Sequence, residues 1–200
     1  MVTYIKSAKD PREYPAAKFL EIVFVGRSNV GKSSLINALF KTKVAKTSST
    51  PGKTHLLNFF SWSDVDAYLV DVPGYGFARR PKTEREGWRE MMEVFLQAQN
   101  RGQRLALLLI DVIREWQAEE EMLVDYLSWV HIPYVLVVTK IDRCRKDTLR
   151  KRMHFWQNCS FSSHPPLDLF FVSARTLEGC STVYKYLITY ARKIKYVQET

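Results

Sequence analysis

Two hundred residues, 46% hydrophobic and 26% charged, are enough to bury the core of one α/β domain and too apolar for a disordered chain. The longest apolar run, residues 105–110, stops at Asp111 and falls far short of the ~20 residues a bilayer needs, so no membrane span is expected. Thirty Lys and Arg against 21 Asp and Glu leave a net charge of +9, which suits an anionic partner.

Before Pro15 the chain mixes Lys, Asp, Arg and Glu without an apolar segment, so no secretory signal is expected. Cys144, Cys159 and Cys180 have neither CxxC nor zinc spacing. An odd count without a pairing framework suits a reducing cytoplasm. The four histidines, His55, His131, His154 and His164, are scattered and form no metal motif.

Residues 1–18 read as an N-terminal arm and residues 19–200 as a single domain. Residues 19–25 are apolar around Glu21 and read as a buried strand, which Gly26 ends. Leu35, Ile36 and Leu39 then share one side of a helix over 32–40. Residues 41–55 are polar, rich in Ser and Thr, and broken by Pro51-Gly52, the composition of a mobile loop. Strands over 56–62 and 67–71 can pair through a turn at Ser63-Asp64. A second loop covers 73–83, and a helix runs from 84 to about 100 with Trp88, Met91, Met92, Phe95, Leu96 and Gln99 at core-facing spacing. Strand 105–111, helix 118–130, strand 134–139, helix 146–159, strand 169–172 and a helix over about 179–195 complete the chain. Tyr184, Tyr186, Tyr190 and Tyr196 are expected to pack that last helix.

Alternation of strands and helices implies right-handed crossovers and a parallel sheet covered on both faces. The expected architecture is a mainly parallel six-stranded sheet with one antiparallel edge strand. In such sheets ligands bind at the carboxyl ends of the strands, where four polar motifs fall.

The first, Gly26-Arg27-Ser28-Asn29-Val30-Gly31-Lys32-Ser33, satisfies GxxxxGK[ST] between a strand and a helix. Glycine lets backbone N–H groups approach phosphate, and the helix start adds free N–H groups of its own. Lys32 would neutralise β and γ phosphates, the amides of residues 28–34, Ser34 among them, would cradle them, and the Ser33 hydroxyl would ligate Mg²⁺. The second, Asp71-Val72-Pro73-Gly74, puts a carboxylate where it can hold Mg²⁺ through water and a Gly74 N–H where it can sense the γ-phosphate. The third is Thr139-Lys140-Ile141-Asp142. Guanine presents N1–H and N2–H₂ as adjacent donors that one carboxylate, Asp142, accepts together; adenine leaves it unpaired. The Lys140 stem can cover the base. The fourth, Val172-Ser173-Ala174, would offer an N–H to guanine O6. Together they point to a guanine-nucleotide protein binding GTP or GDP.

On these strings the chain resembles the TRAFAC GTPases and, within them, the bacterial EngB/YsxC (YihA) type. The resemblance rests on residues 26–37, on Thr50-Pro51-Gly52-Lys53-Thr54 leading to Asn58-Phe59-Phe60, on residues 71–76, and on Thr139 to Asp142. It implies a Ras-like P-loop GTPase fold and a cytoplasmic role in assembling the large ribosomal subunit, with a need in normal cell division and septation. It also implies that Ser33 and Thr54 ligate Mg²⁺ and that Gly52, Lys53, Thr54, His55 and Leu56 form a switch segment touching nucleotide. One departure concerns the Asp-x-Arg-His string common after the strand ending at Asp111; here it reads Asp111-Val112-Ile113-Arg114-Glu115.

Tyr75 stands where some GTPases carry a water-orienting Gln, so slow turnover is expected. In GTPases alike at this loop, an Asn such as Asn29 can hold K⁺; the alternative is an Asn bonded to backbone. The catalytic set is thus Lys32, Thr54, Gly74 and Asn29. The basic run from Lys140 to Arg152 reads either as a solvated helix face or as a footprint for ribosomal RNA. A GTP-regulated protein-binding module at the division site is the alternative function, and a P-loop kinase or ATPase a third, against which Lys140 and Asp142 argue. Nothing suggests an obligate oligomer, so a monomer is expected.

Overall fold

The computed structural model describes residues 1–46, 56–76, 82–98, 101–159, 161 and 164–199. Among the described residues, seven strands lie in one sheet: β1 (Val2–Ala8), β2 (Leu20–Gly26), β3 (Leu57–Trp62), β4 (Ala67–Asp71), β5 (Gln103–Asp111), β6 (Tyr134–Thr139) and β7 (Leu169–Phe171). Their order across the sheet is β1-β3-β4-β2-β5-β6-β7. The helices are α1 (Lys32–Phe40), α2 (Lys82–Gln97), α3 (Ala118–Trp129), α4 (Lys146–Gln157) and α5 (Cys180–Glu199).

Every residue of β2, β4 and β6 is buried. Continuous apolar runs of this kind belong to strands covered on both faces, and helices supply that cover. Leu35, Ile36 and Leu39 of α1 join Val183, Leu187 and Ala191 of α5 on one face. Met91 and Phe95 of α2, Val124 and Leu127 of α3, and Trp156 of α4 cover the other. Of the tyrosines expected to pack α5, Tyr184 meets Phe40 and Trp62 at ring distances of 5.7 and 5.8 Å, and Tyr186 meets Phe170 at 5.1 Å. Gln99 lies outside the described residues.

The sheet is mainly parallel with an antiparallel edge, as expected, and has one strand more than the six read from the sequence. The segment read as an arm supplies a seventh strand: β1 pairs antiparallel with β3, from Val2 opposite Trp62 to Ala8 opposite Leu57, with an irregularity between Tyr4 and Lys6. Only Val2 and Ala8 of β1 are buried, so it carries no apolar alternation to betray it. Consequently β3, which also runs antiparallel to β4 through Trp62 opposite Ala67, lies one strand in from the edge. All other pairings are parallel, which brings the carboxyl ends of β2, β4, β5, β6 and β7 to one side.

Glu21, buried within β2, is matched by two guanidinium groups. Arg101 Nε donates to Oε1 at 2.7 Å and Arg104 Nε to Oε2 at 3.0 Å. Arg101 also reaches the Pro15 carbonyl, and Arg104 the Leu96 carbonyl, so one carboxylate ties the entry to β2, the end of α2 and the start of β5 together. Removing one partner of a buried ion pair leaves uncompensated charge and costs about 3–5 kcal/mol. Glu21→Ala is expected to lose that much in urea unfolding; a loss under about 1 kcal/mol would contradict this role.

Candidate functional site: a phosphate loop and a base cleft at the strand ends

The backbone between β2 and α1 takes a shape few side chains tolerate. Asn29 lies at φ 59° and Gly31 at φ 108°, both left-handed, which glycine and asparagine adopt at least cost. The turn delivers Lys32 and Ser33 into the first turn of α1, where Gly31 caps without a side-chain bond. Among the described residues, the N–H groups of Asn29 and of residues 31–34 find no backbone acceptor. Such free amides at a helix start form an anion site. Lys32 is buried, its Nζ donating to the Gly26 and Arg27 carbonyls at 3.1 and 3.2 Å. Burial pulls its ammonium down to about 8, opposed by the charge of Asp71.

Asp71 ends β4 opposite Phe24 of β2. Its Oδ2 accepts the Ser33 hydroxyl at 2.6 Å, and burial pushes its carboxyl above the usual range against the pull of Lys32 and Ser33. A hydroxyl and a buried carboxylate side by side are hard oxygen donors that fit Mg²⁺, an ion commonly held by one or two protein oxygens, phosphates and water. Among the described residues no cluster of three or more His, Cys, Asp or Glu could hold a metal alone. Val72 is buried with its N–H on the Phe24 carbonyl, and the Pro73 carbonyl accepts the Trp88 indole N–H at 2.7 Å. Gly74 lies so close to the phosphate loop that an added Cβ would stand 2.5 Å from Ser28 Cα.

The other two motifs meet across β6 and β7. The Val172 N–H bonds to Val138 and the Ile141 N–H to Val172, setting Asp142 beside Ser173. Asp142 Oδ1 accepts the Ser173 hydroxyl at 2.6 Å and Oδ2 accepts Arg175 Nε at 2.8 Å. These partners, Ser173 foremost, hold its carboxyl below the ordinary value. Thr139 Oγ1 donates to the Val30 carbonyl at 2.9 Å. Lys140 Nζ donates to the Asn29 carbonyl at 2.6 Å and pairs with Asp111 at 3.0 Å. A cleft of about 550 Å³ opens between these loops. Val30, Gly31, Ser34 and Leu35 form one wall, and Thr139, Lys140, Asp142, Arg143, Val172, Ala174 and Arg175 the rest.

The structure therefore gathers residues 26–34, 71–74, 139–142 and 172–174 at one set of strand ends. Leu56 is exposed before β3, while Gly52, Lys53, Thr54 and His55 lie outside the described residues. Two contributors escaped the sequence reading. Asp111, at the end of β5, fixes Lys140, and its position closing an apolar strand was the available signal. Arg175 follows the fourth motif and carries no signal of its own.

A mainly parallel sheet with this loop, these strand ends and this cleft defines a Ras-like P-loop GTPase. A family model described as 50S ribosome-binding GTPase matches residues 21–140. The EngB GTP-binding protein of Bdellovibrio bacteriovorus is 41% identical over 187 residues, 93% of this chain and 90% of that one. Its counterpart from a Geobacter species is 45% identical over 182 residues, 90% and 83% of the two chains. A crystal structure of an EngB-type GTP-binding protein superposes with a TM-score of 0.65 at 23% identity, covering 86% of this chain and 99% of that one. Era, solved with MgGDPNP and a 16S ribosomal RNA segment, gives 0.58 at 23% identity over 88% and 57%. The chain belongs to the EngB family of GTP-binding proteins.

The state of Lys32 yields a pH test. Phosphates set against it favour its charged form, so above about pH 8 binding must draw a proton from solution, and affinity falls as pH rises; well below that value the lysine is already charged and takes up none. Calorimetric titration with GDP in two buffers of different ionisation enthalpy should give little uptake near pH 7 and close to one proton near pH 9. Equal uptake at both would contradict the assignment.

Proposed function

We propose that this chain is a GTP–GDP switch that hydrolyses GTP slowly in the cytoplasm and serves assembly of the large ribosomal subunit, and through it normal cell division and septation. The observation that carries the reading is Asp142, whose carboxylate borders the cleft with both oxygens held by Ser173 and Arg175. Guanine's paired N–H donors fit that acceptor, and adenine does not. The description of the matching family model as ribosome-binding and the net positive charge support the ribosomal part.

In this reading the free amides of Asn29 and of residues 31–34, with Lys32, bind the phosphates, while Lys140 covers the base and Ala174 offers its N–H to guanine O6. Ser33 and Thr54 would hold Mg²⁺ directly and Asp71 through water; when bound, the ion would offset the negative charge of the phosphates. Water adds to the γ-phosphorus as the bond to the bridging oxygen breaks, giving GDP and phosphate. Tyr75 stands where a Gln would orient that water, so turnover is of the order of ~10⁻⁴–10⁻² s⁻¹ without a partner. Thr54 and Gly74 contact the γ-phosphate only while it exists, which makes their loops the switch. Asn29 would hold K⁺, which would supply further positive charge to the phosphates, and the protein acts as a monomer.

Turnover of GTP and ATP, measured in KCl and NaCl at equal ionic strength, tests the enzymology. GTP alone should turn over, slowly, and faster in KCl; equal rates in the two salts would remove K⁺, and a rate near 1 s⁻¹ would contradict the slow switch. Cosedimentation with large subunits should require a non-hydrolysable GTP analogue and weaken steeply with salt, as phosphate contacts do. Absence of binding in either nucleotide state would favour the protein-binding alternative.

A further inference from the structure

Glu120, in the first turn of α3, is buried yet belongs to none of the four motifs. Its Oε1 accepts the Tyr75 hydroxyl at 2.9 Å and stands 3.8 Å from Arg27 Nη1, while Oε2 is buried with no hydrogen-bond partner among the described residues. Burial pushes its carboxyl up and Tyr75 and Arg27 pull it down. A carboxylate buried there carries a desolvation cost, which its contacts with Tyr75 and Arg27 offset.

What it holds is the loop carrying Gly74. The Tyr75 ring packs 5.7 Å from Trp88, and its backbone carbonyl accepts the Ser28 N–H at 2.9 Å, one residue beyond the paired Arg27. Gly76, at φ 76°, lies against the Arg27 guanidinium, where a Cβ would stand 2.8 Å from Nε. Arg27 in turn bonds to Gln117 at 2.9 Å and pairs with Glu119 at 3.7 Å, which returns the chain of contacts to α3.

We propose that Glu120 is a positioning residue: with Tyr75 and Arg27 it latches the Gly74 loop onto Ser28, and an arriving γ-phosphate has to open that latch. The Ser28 N–H sits at the third position of the phosphate loop. It cannot serve the Tyr75 carbonyl and a phosphate oxygen together, so whatever strengthens the Tyr75–Glu120 bond disfavours GTP relative to GDP. The inference rests on the guanine-nucleotide reading above and adds the element that sets its triphosphate preference.

Tyr75→Phe keeps the ring against Trp88 and removes the hydroxyl; Glu120→Ala removes the acceptor. Competition binding with GDP and a non-hydrolysable GTP analogue reads out both affinities. Each variant should raise analogue affinity about tenfold, the scale of one hydrogen bond to a charged group, with GDP affinity shifted less than twofold. The double variant should gain no more than either single one, and Glu120→Gln, which keeps an acceptor for Tyr75, should restore much of the wild-type ratio. An unchanged ratio, an equal shift for both nucleotides, or additive effects would overturn the latch. Wild-type protein that binds GDP no better than ADP would instead overturn the guanine reading beneath it.

Discussion

Asp142 meets the cleft with each oxygen already committed, Oδ1 to the Ser173 hydroxyl and Oδ2 to Arg175. A carboxylate so held stays ionised and fixed in direction, the two properties that a specific acceptor for a base edge requires. Its position depends on the backbone bonds that join residues 138, 141 and 172. Those bonds depend in turn on β6 and β7 lying parallel, with Val138 opposite Phe171. The sheet thus converts strand register into the placement of one charge.

The phosphate side is tied to the same frame by side chains that cross between loops. Lys140 reaches the Asn29 carbonyl and the Asp111 carboxylate, and Thr139 reaches the Val30 carbonyl. Base cleft and phosphate loop therefore share anchors, and neither can shift alone without breaking a bond at the other. Lys32 and Asp71 add a second constraint. Each is buried, and each is driven by that burial toward its neutral form. Phosphates beside the first and a cation beside the second would relieve both costs, so the site's charges fit its ligands better than they fit one another.

Much of this was legible in the sequence because its signals are local. The glycine-rich loop shows in eight consecutive residues, and the three other motifs each close an apolar strand. The alternation of strands and helices placed all four on one side of a sheet. What escaped was non-local or weakly patterned. Strand β1 exposes Tyr4 and Ile5 and buries only its two ends, so no period marks it, and its pairing with β3 joins residues far apart in the chain. The bonds of Asp111 to Lys140, of Arg175 to Asp142 and of Tyr75 to Glu120 likewise bridge about thirty positions or more. Single-residue polarity could not announce them.

Exchange of the base acceptor tests the central claim most directly. Asn in place of Asp142 offers an amide donor where guanine needs an acceptor, and xanthine presents a carbonyl where guanine carries its amino group. Equilibrium binding of GDP and XDP to wild-type protein and to Asp142→Asn should show preference for GDP in the first and for XDP in the second, with each inversion on the order of a hundredfold or more. If the substitution leaves the preference for GDP intact, Asp142 does not read the base and the account fails.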